Sequence, residues 1–294
     1  TDADGGSNDP DWKAFFIRDG VDKDLFEIGE KTGVITFKTA PDYEARSEYN
    51  FQVNVSDGTL PETTQQVKVV IRDLNDNAPV FTSTATPAID ENTTDVVTLV
   101  TTDADTNPTV SYSITGGTDA NSFAVTTDGV LTISGTDFES GKTSYEVIVT
   151  ATDNDDTNST SQTITVTIDD VNDNAPVFTS TATPAINENT TDVVTLVTTD
   201  ADTNPTVTYS ITGGTDANSF AVDQASGVLT LKDKPDFETK TSYEVTVTAT
   251  DNDGVNSTLQ DITVTIKDTN DNRPVITSQN VFTVDENQLS VGTV

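Results

Sequence analysis

The stretch VNDNAPVFTSTATPAINENTTD, residues 171–192, nearly repeats LNDNAPVFTSTATPAIDENTTD, residues 74–95, and returns as TNDNRPVITSQNVFTVDEN at residues 269–287. Its triplets, Asn75-Asp76-Asn77, Asn172-Asp173-Asn174 and Asn270-Asp271-Asn272, are spaced by 97 and 98 residues. A period of about 100 residues is that of whole domains in tandem, not of solenoid repeats. Residues 81–125 and 178–222 differ only at Asp90/Asn187 and Ser111/Thr208. The chain is therefore expected to divide into residues 1–77, a module lacking its first strand; 78–174 and 175–272, complete modules; and 273–294, the opening strand of a further one.

Within a module the apolar pattern has period two. VSYSI (110–114), GVLTI (129–133), SYEVIVTAT (144–152) and TITVTI (163–168) alternate apolar with small polar residues, as half-buried antiparallel strands do. Short strands, Gly- and Asn-rich turns and no helical period predict an all-β chain. The expected architecture is tandem seven-stranded Greek-key β-sandwiches, immunoglobulin-like, strung into an elongated rod. Phe81, Tyr112, Phe123, Phe138 and Tyr145 fall in or beside strands and are read as core, as is the single Trp12. No Gly/Ser tract separates the modules: TIDDVNDNAPVF passes from one strand through Pro176 straight into the next.

The chain carries 14 basic and 49 acidic residues, a formal charge of −35. Such a surface repels nucleic acid and anionic membrane, so neither is an expected partner. The strand-like alternation argues against disorder, the other common fate of so acidic a chain. Absence of Cys, Met and His removes disulfides, thiol chemistry, imidazole acid–base work and any ordinary zinc site. No signal peptide or long apolar run appears. The chain reads as an excised fragment, with any membrane anchor outside it.

The remaining outlet for concentrated carboxylate is a hard cation with oxygen ligands. Acidic motifs recur at fixed places in each module: Glu91-Asn92 after the first strand, Asp103-Ala-Asp105 after the second, Asp137-Phe-Glu139 before the SYEV strand, Asp153 closing ATD, and Asp170-Val-Asn172-Asp173-Asn174 at the end. All fall at strand ends, where a sandwich gathers its loops at two poles. Unpaired carboxylates about 4 Å apart repel by about 4 kcal/mol per pair at an effective dielectric near 20, so positive charge is expected there. Mixed carboxylate, amide and carbonyl oxygens suit Ca²⁺, which tolerates flexible angles, better than the stricter octahedron of Mg²⁺.

Taken in order, xEN, DAD, DFE or DYE, ATD and DxNDNAP resemble the calcium-binding signature of cadherin repeats, over essentially the whole chain. The resemblance implies about three Ca²⁺ per complete junction, with six to eight oxygens each. At the 1–2 junction it implicates Asp42, Glu44, Asp73, Asn75, Asp76, Asn77, Asp103, Asp105 and Asp153. At the 2–3 junction it implicates Glu91, Asp137, Glu139, Asp170, the Val171 carbonyl, Asn172, Asp173, the Asn174 carbonyl, Asp200, Asp202 and Asp251. At the 3–4 junction it implicates Glu188, Asp236, Glu238, Asp268, Asn270, Asp271 and Asn272. The bland alternative is a solvated turn, since Asn, Asp and Gly favour turns. Sequons at Asn92, Asn158, Asn189 and Asn256 arise easily in a Thr-rich chain and receive no role.

The two ends are complementary. Residues 273–294 of one molecule are expected to complete residues 1–77 of another, head to tail, by strand addition. Glu286 would then serve the recipient's 1–2 junction, and Asp2, Asp4 and Asp57 the donor's 3–4 junction. The leading functional reading is a calcium-stiffened segment of an extracellular, cell-surface adhesion protein, gripping or spacing a protein or glycan on another cell. Near-identical neighbours suggest recent duplication, as in long bacterial adhesins of the cadherin-like type. The alternative is a calcium-dependent carbohydrate-binding module of a polysaccharide-associated protein. Catalysis is weakest: carboxylate pairs such as Asp137/Glu139 occur in glycosidases, but repetition in every module suits structure better. No enzymatic role is expected.

Overall fold

The computed structural model describes residues 13–58, 60–106, 108–153, 157–203, 205–252 and 254–294. The chain forms two compact units, Thr1–Asp169 and Asp170–Val294.

The second unit is the simpler. Its larger sheet places Ala185–Asn187, Ser257–Lys267, Ser242–Thr250 and Thr208–Gly213 side by side. The first of these pairs parallel to its neighbour, the others antiparallel. The facing sheet orders Asp192–Thr195, Val228–Leu231 and Phe220–Val222. A short pairing of Val177–Phe178 with Thr198–Thr199 completes it. Pro184 stands between Val177–Phe178 and Ala185–Asn187, where a missing N–H and a fixed φ break the opening strand in two.

In the first unit, residues 80–169 repeat this plan. Ala88–Asp90 runs parallel to Ser159–Asp169, followed by Ser144–Thr152 and Ser111–Gly116, opposite Asp95–Thr98, Val130–Ile133 and Phe123–Val125. Earlier in the unit, Ala14–Asp19, Glu48–Ser56 and Thr63–Val70 form one sheet and Phe26–Ile28 with Ile35–Phe37 another. Among the described residues Thr63–Val70 has no parallel partner, unlike Ser159–Asp169 and Ser257–Lys267. Residues 273–294 form no strand.

The alternation read in the sequence is the alternation of burial. In SYEVIVTAT, Tyr145, Val147, Val149 and Ala151 are buried, and from the next strand Ile164, Val166 and Ile168 meet them. Each fully buried Val, Ile or Leu contributes about 1.5–3 kcal/mol of apolar transfer. Phe81, Tyr112, Phe123 and Tyr145 all belong to or pack on this core, which is the role expected of them. The first unit holds a separate smaller core around Phe26, Tyr49 and Phe51. Because strands carry the core, the loops at their ends are free to carry charge.

Candidate metal centre

The site in the first unit is assembled by the run Asp73–Asn77 lying against the loops that follow Thr101–Thr102 and Ser144–Thr152. The DAD loop first folds on itself, the Asp105 N–H donating to Asp103 Oδ1 at 3.1 Å. Asp105, only 5% exposed, then receives the Asn77 backbone N–H on Oδ2 at 3.0 Å and the Asn77 side-chain amide on Oδ1 at 2.8 Å. The Thr106 N–H and hydroxyl both donate to Asp73 Oδ2, at 2.6 and 2.5 Å. Asn158 Nδ2 donates to the Asn75 carbonyl at 2.9 Å, and the Asp153 N–H to the Asn158 carbonyl at 3.0 Å. The acidic run is thus held on the receiving loops by directed bonds, two of them from the sequence-predicted Asn77 and three from Thr106 and Asn158, which were not predicted.

Carboxylate oxygens converge as a result. Those of Glu44, Asp73 and Asp105 lie within 4.8 Å of one another, as do those of Asp103, Asp105 and Asp153, with Asp105 common to both groups. At 4.8 Å and an effective dielectric near 20 each charged pair repels by about 3–4 kcal/mol. Asp73 Oδ1 and Asp103 Oδ2 are buried and accept no hydrogen bond. Among the described residues, the ion pairs are Arg18–Glu62, Lys23–Asp24, Arg46–Asp22, Lys68–Glu48, Lys142–Asp119 and Lys240–Asp216. None of them reaches Asp73, Asp103 or Asp105. Converging buried oxygens without donors or cations fit a hard divalent ion.

Titration follows from the same packing. The Thr106 hydroxyl and N–H hold the Asp73 carboxyl below its ordinary value despite desolvation. Glu44 is pulled down by its own backbone N–H, but desolvation and the Asp42 and Asp73 carboxyls outweigh that and leave it raised. Asp42 Oδ1 caps its own turn, accepting from the Glu44 and Ala45 N–H groups at 3.0 and 3.1 Å. Asp76 is exposed.

The second unit reproduces these bonds one repeat later. The Asn174 N–H and amide reach Asp202 at 3.1 and 2.9 Å, the Thr203 N–H reaches Asp170 at 2.7 Å, and Asn256 Nδ2 reaches the Asn172 carbonyl at 3.2 Å. Asp200 Oδ2, Asp251 Oδ2 and Asn172 Oδ1 are buried without donors. Burial pushes the Asp200 carboxyl up, and the Asp251 and Asp202 carboxyls add to this against the Asp202 N–H.

At the other end of a module the xEN glutamate is buried and orders the DxE loop. Glu91, 2% exposed, accepts the Phe138 N–H at 2.7 Å, while Asp137 caps the short turn Phe138–Ser140 through the Ser140 N–H at 3.1 Å. Glu188 accepts the Phe237 N–H at 2.9 Å and the Thr269 N–H at 2.7 Å, and its oxygens cluster within 4.8 Å of Asp236 and Glu238. Asn189 Nδ2 donates to Asp271 at 2.7 Å. Asp268, Asn270, Asn272 and Glu286 are exposed, and Asp57 serves a local turn, accepting from the Leu60 N–H at 2.9 Å. Asp2, Asp4 and Trp12 lie outside the described residues.

A family model for the cadherin domain matches residues 1–72, 86–169 and 183–267. The chain belongs to the cadherin family. Among relatives of this cadherin chain, protocadherin Fat 4 of Mus musculus is 33% identical over 94% of the chain and 6% of its own length. Cadherin EGF LAG seven-pass G-type receptor 2 of Mus musculus is 32% identical over 93% of the chain and 10% of its own length. The chain therefore spans only a small part of these curated relatives. Among solved structures, mouse cadherin-23 EC22-24 superposes with a TM-score of 0.64 at 26% identity, covering 91% of this chain and 89% of that one. These are cadherin repeats of the β-sandwich type, and their setting is extracellular or at the cell surface. No helix among the described residues is long and apolar enough to cross a membrane.

Proposed function

We propose that these cadherin repeats bind Ca²⁺ where one module meets the next, and that the ion makes the junction a fixed part of an adhesion protein. The observation that carries this reading is the convergence of Glu44, Asp73, Asp103, Asp105 and Asp153 within two overlapping groups of 4.8 Å span, with buried oxygens on Asp73 and Asp103 that no donor satisfies. Ca²⁺ supplies the positive charge that turns mutual repulsion into a shared bond set. Glu44, Asp73, Asp103, Asp105 and Asp153 would hold it, with Asn75, Asp76 and Asn77 oxygens completing the shell and Asp42 shaping the Glu44 turn. The repeat extends the assignment to Glu91, Asp137, Glu139, Asp170, Val171, Asn172, Asp173, Asn174, Asp200, Asp202 and Asp251, and to Glu188, Asp236, Glu238, Asp268, Asn270, Asp271 and Asn272. Recurrence of the same carboxylates in each module suits a structural role and not a reaction centre.

Calcium at a hundredfold excess over its dissociation constant stabilises the ion-bound fold by about 2.7 kcal/mol per site. The melting temperature in Ca²⁺ is therefore expected to exceed that in chelator by several degrees, and small-angle scattering is expected to show a more extended particle in Ca²⁺. Melting curves and scattering profiles that coincide in the two conditions remove the reading.

Self-association by strand addition has two observations in its favour. Thr63–Val70 carries an open edge among the described residues, and residues 273–294 are free of strand pairing. Deleting residues 273–294 is expected to abolish any concentration-dependent dimer in sedimentation. A monomer at every concentration in the intact chain sets this aside.

A further inference from the structure

Each module carries a second device that the calcium reading does not use. A bulge interrupts the pairing at Ile17/Asp19, Ile114/Gly116 and Ile211/Gly213. It is followed by Gly20, Gly117 or Gly214, at φ of +105°, +109° and +103°, where a Cβ would sit 2.5 Å from a backbone Cα of the facing strand. Only glycine allows that approach. Two residues on, an aspartate is pressed onto the same strand. Asp22 Oδ2 accepts the Asn50 N–H at 2.6 Å, and Asp119 and Asp216 each accept a glutamate N–H, of Glu146 and Glu244, at 2.9 Å. The same aspartates bind Arg46, Lys142 and Lys240, and each cation lies 4.5–4.6 Å over the ring of Tyr49, Tyr145 or Tyr243.

The three cations end the three DxE loops. Arg46 follows Glu44 by two residues, and its own N–H donates to the Asp42 carbonyl at 3.0 Å; the Lys240 N–H donates to the Asp236 carbonyl at 2.9 Å. In a chain with 14 basic residues and 49 acidic ones, three cations close to the acidic loops are each held instead by an aspartate, buried in the case of Asp22 and part-buried in the others, and by a ring. We propose that Asp22, Asp119 and Asp216, through Arg46, Lys142 and Lys240, are positioning residues that set the DxE loop so that its glutamate presents an oxygen to the calcium site. The proposal rests on the calcium reading above. It adds that cationic charge two or three residues from a ligand strengthens calcium binding, where electrostatics alone requires it to weaken binding.

The opposite signs make the test. Local calcium occupancy is read by hydrogen–deuterium exchange of peptides covering residues 42–46 and 73–77 along a Ca²⁺ titration of the whole chain. Arg46→Gln removes a positive charge; the latch predicts half-protection at roughly tenfold higher Ca²⁺, in the range seen when groups supporting metal ligands are lost, with residues 42–46 exchanging faster in chelator too. Arg46→Lys, the residue used in the other modules, is expected to keep the wild-type midpoint. The double variant Asp22→Asn/Arg46→Gln removes the buried charge together with its partner and guards against an unfolded single variant. Its midpoint is expected to stay shifted. A midpoint unchanged or lowered in Arg46→Gln and in the double variant overturns the proposal while leaving the calcium reading intact. A wild-type chain whose peptides show no calcium-dependent protection overturns both.

Discussion

At the scale of the residue, the molecule uses aspartate in two opposed ways. Asp22, Asp119 and Asp216 are held by donors: a backbone N–H and Arg46 for Asp22, Lys142 and a backbone N–H for Asp119, and Lys240 foremost for Asp216, each lowering the carboxyl below its ordinary value. Asp103 and Asp200 each bury an oxygen with no donor, and burial raises Asp200. The lowered latch aspartates and the raised Asp200 give opposite pH dependence in chelator. A depressed folded pKa contributes stability that is present above the unfolded value of about 4 and lost as pH falls through the folded value; a raised one, as for Asp200 and Glu44, disfavours the fold once pH rises above about 4. The metal-free melting temperature is expected to rise as pH falls from neutrality toward about 4, then to drop below that as the latch aspartates protonate. A profile falling steadily from pH 7 downward contradicts this assignment. Asp103→Asn is expected to weaken the Ca²⁺-dependent gain by at least about tenfold in affinity, about 1.4 kcal/mol, without lowering stability in chelator. Titration calorimetry and melting in the two buffers check the two halves.

At the scale of the element, strands and loops carry separable loads. Leu131 is fully buried in the apolar core of its module, so Leu131→Ala is expected to cost about 2–5 kcal/mol equally with and without Ca²⁺. A loss seen only in Ca²⁺ contradicts the division. The strands were legible in the sequence because a two-residue period is local: Tyr145, Val147, Val149 and Ala151 face inward as their alternation implies. Glu44, Asp73, Asp103, Asp105 and Asp153 were legible as a set because five motifs recur in fixed order. Thr106, Thr203, Asn158 and Asn256 were not, although each falls at a constant repeat position, because Thr and Asn in so Thr-rich a chain carry no distinguishing chemistry until the fold brings them to Asp73, Asp170, Asn75 and Asn172. The aspartate–cation latch escaped for a related reason. Its partners are 24, 23 and 24 residues apart, a separation no local pattern encodes.

At the scale of the whole molecule, a charge of −35 is unusual for a fold whose cores are made from ordinary alternating strands. Sandwich and charge are reconciled if the densest carboxylate clusters are ligands. The cadherin-domain matches set the chain among repeats of extracellular proteins many times its length, and adhesion is a property proposed for that larger protein. What is proposed for this chain itself is that it holds divalent ions. Equilibrium dialysis of the intact chain against Ca²⁺ in a large excess of Mg²⁺ tests that most directly. The account predicts more than one Ca²⁺ retained per chain at millimolar free Ca²⁺, with retention reduced in Asp105→Asn, whose carboxylate belongs to both groups of the first unit. No calcium retained above a non-binding control protein, or the same retention with and without Asp105, contradicts it.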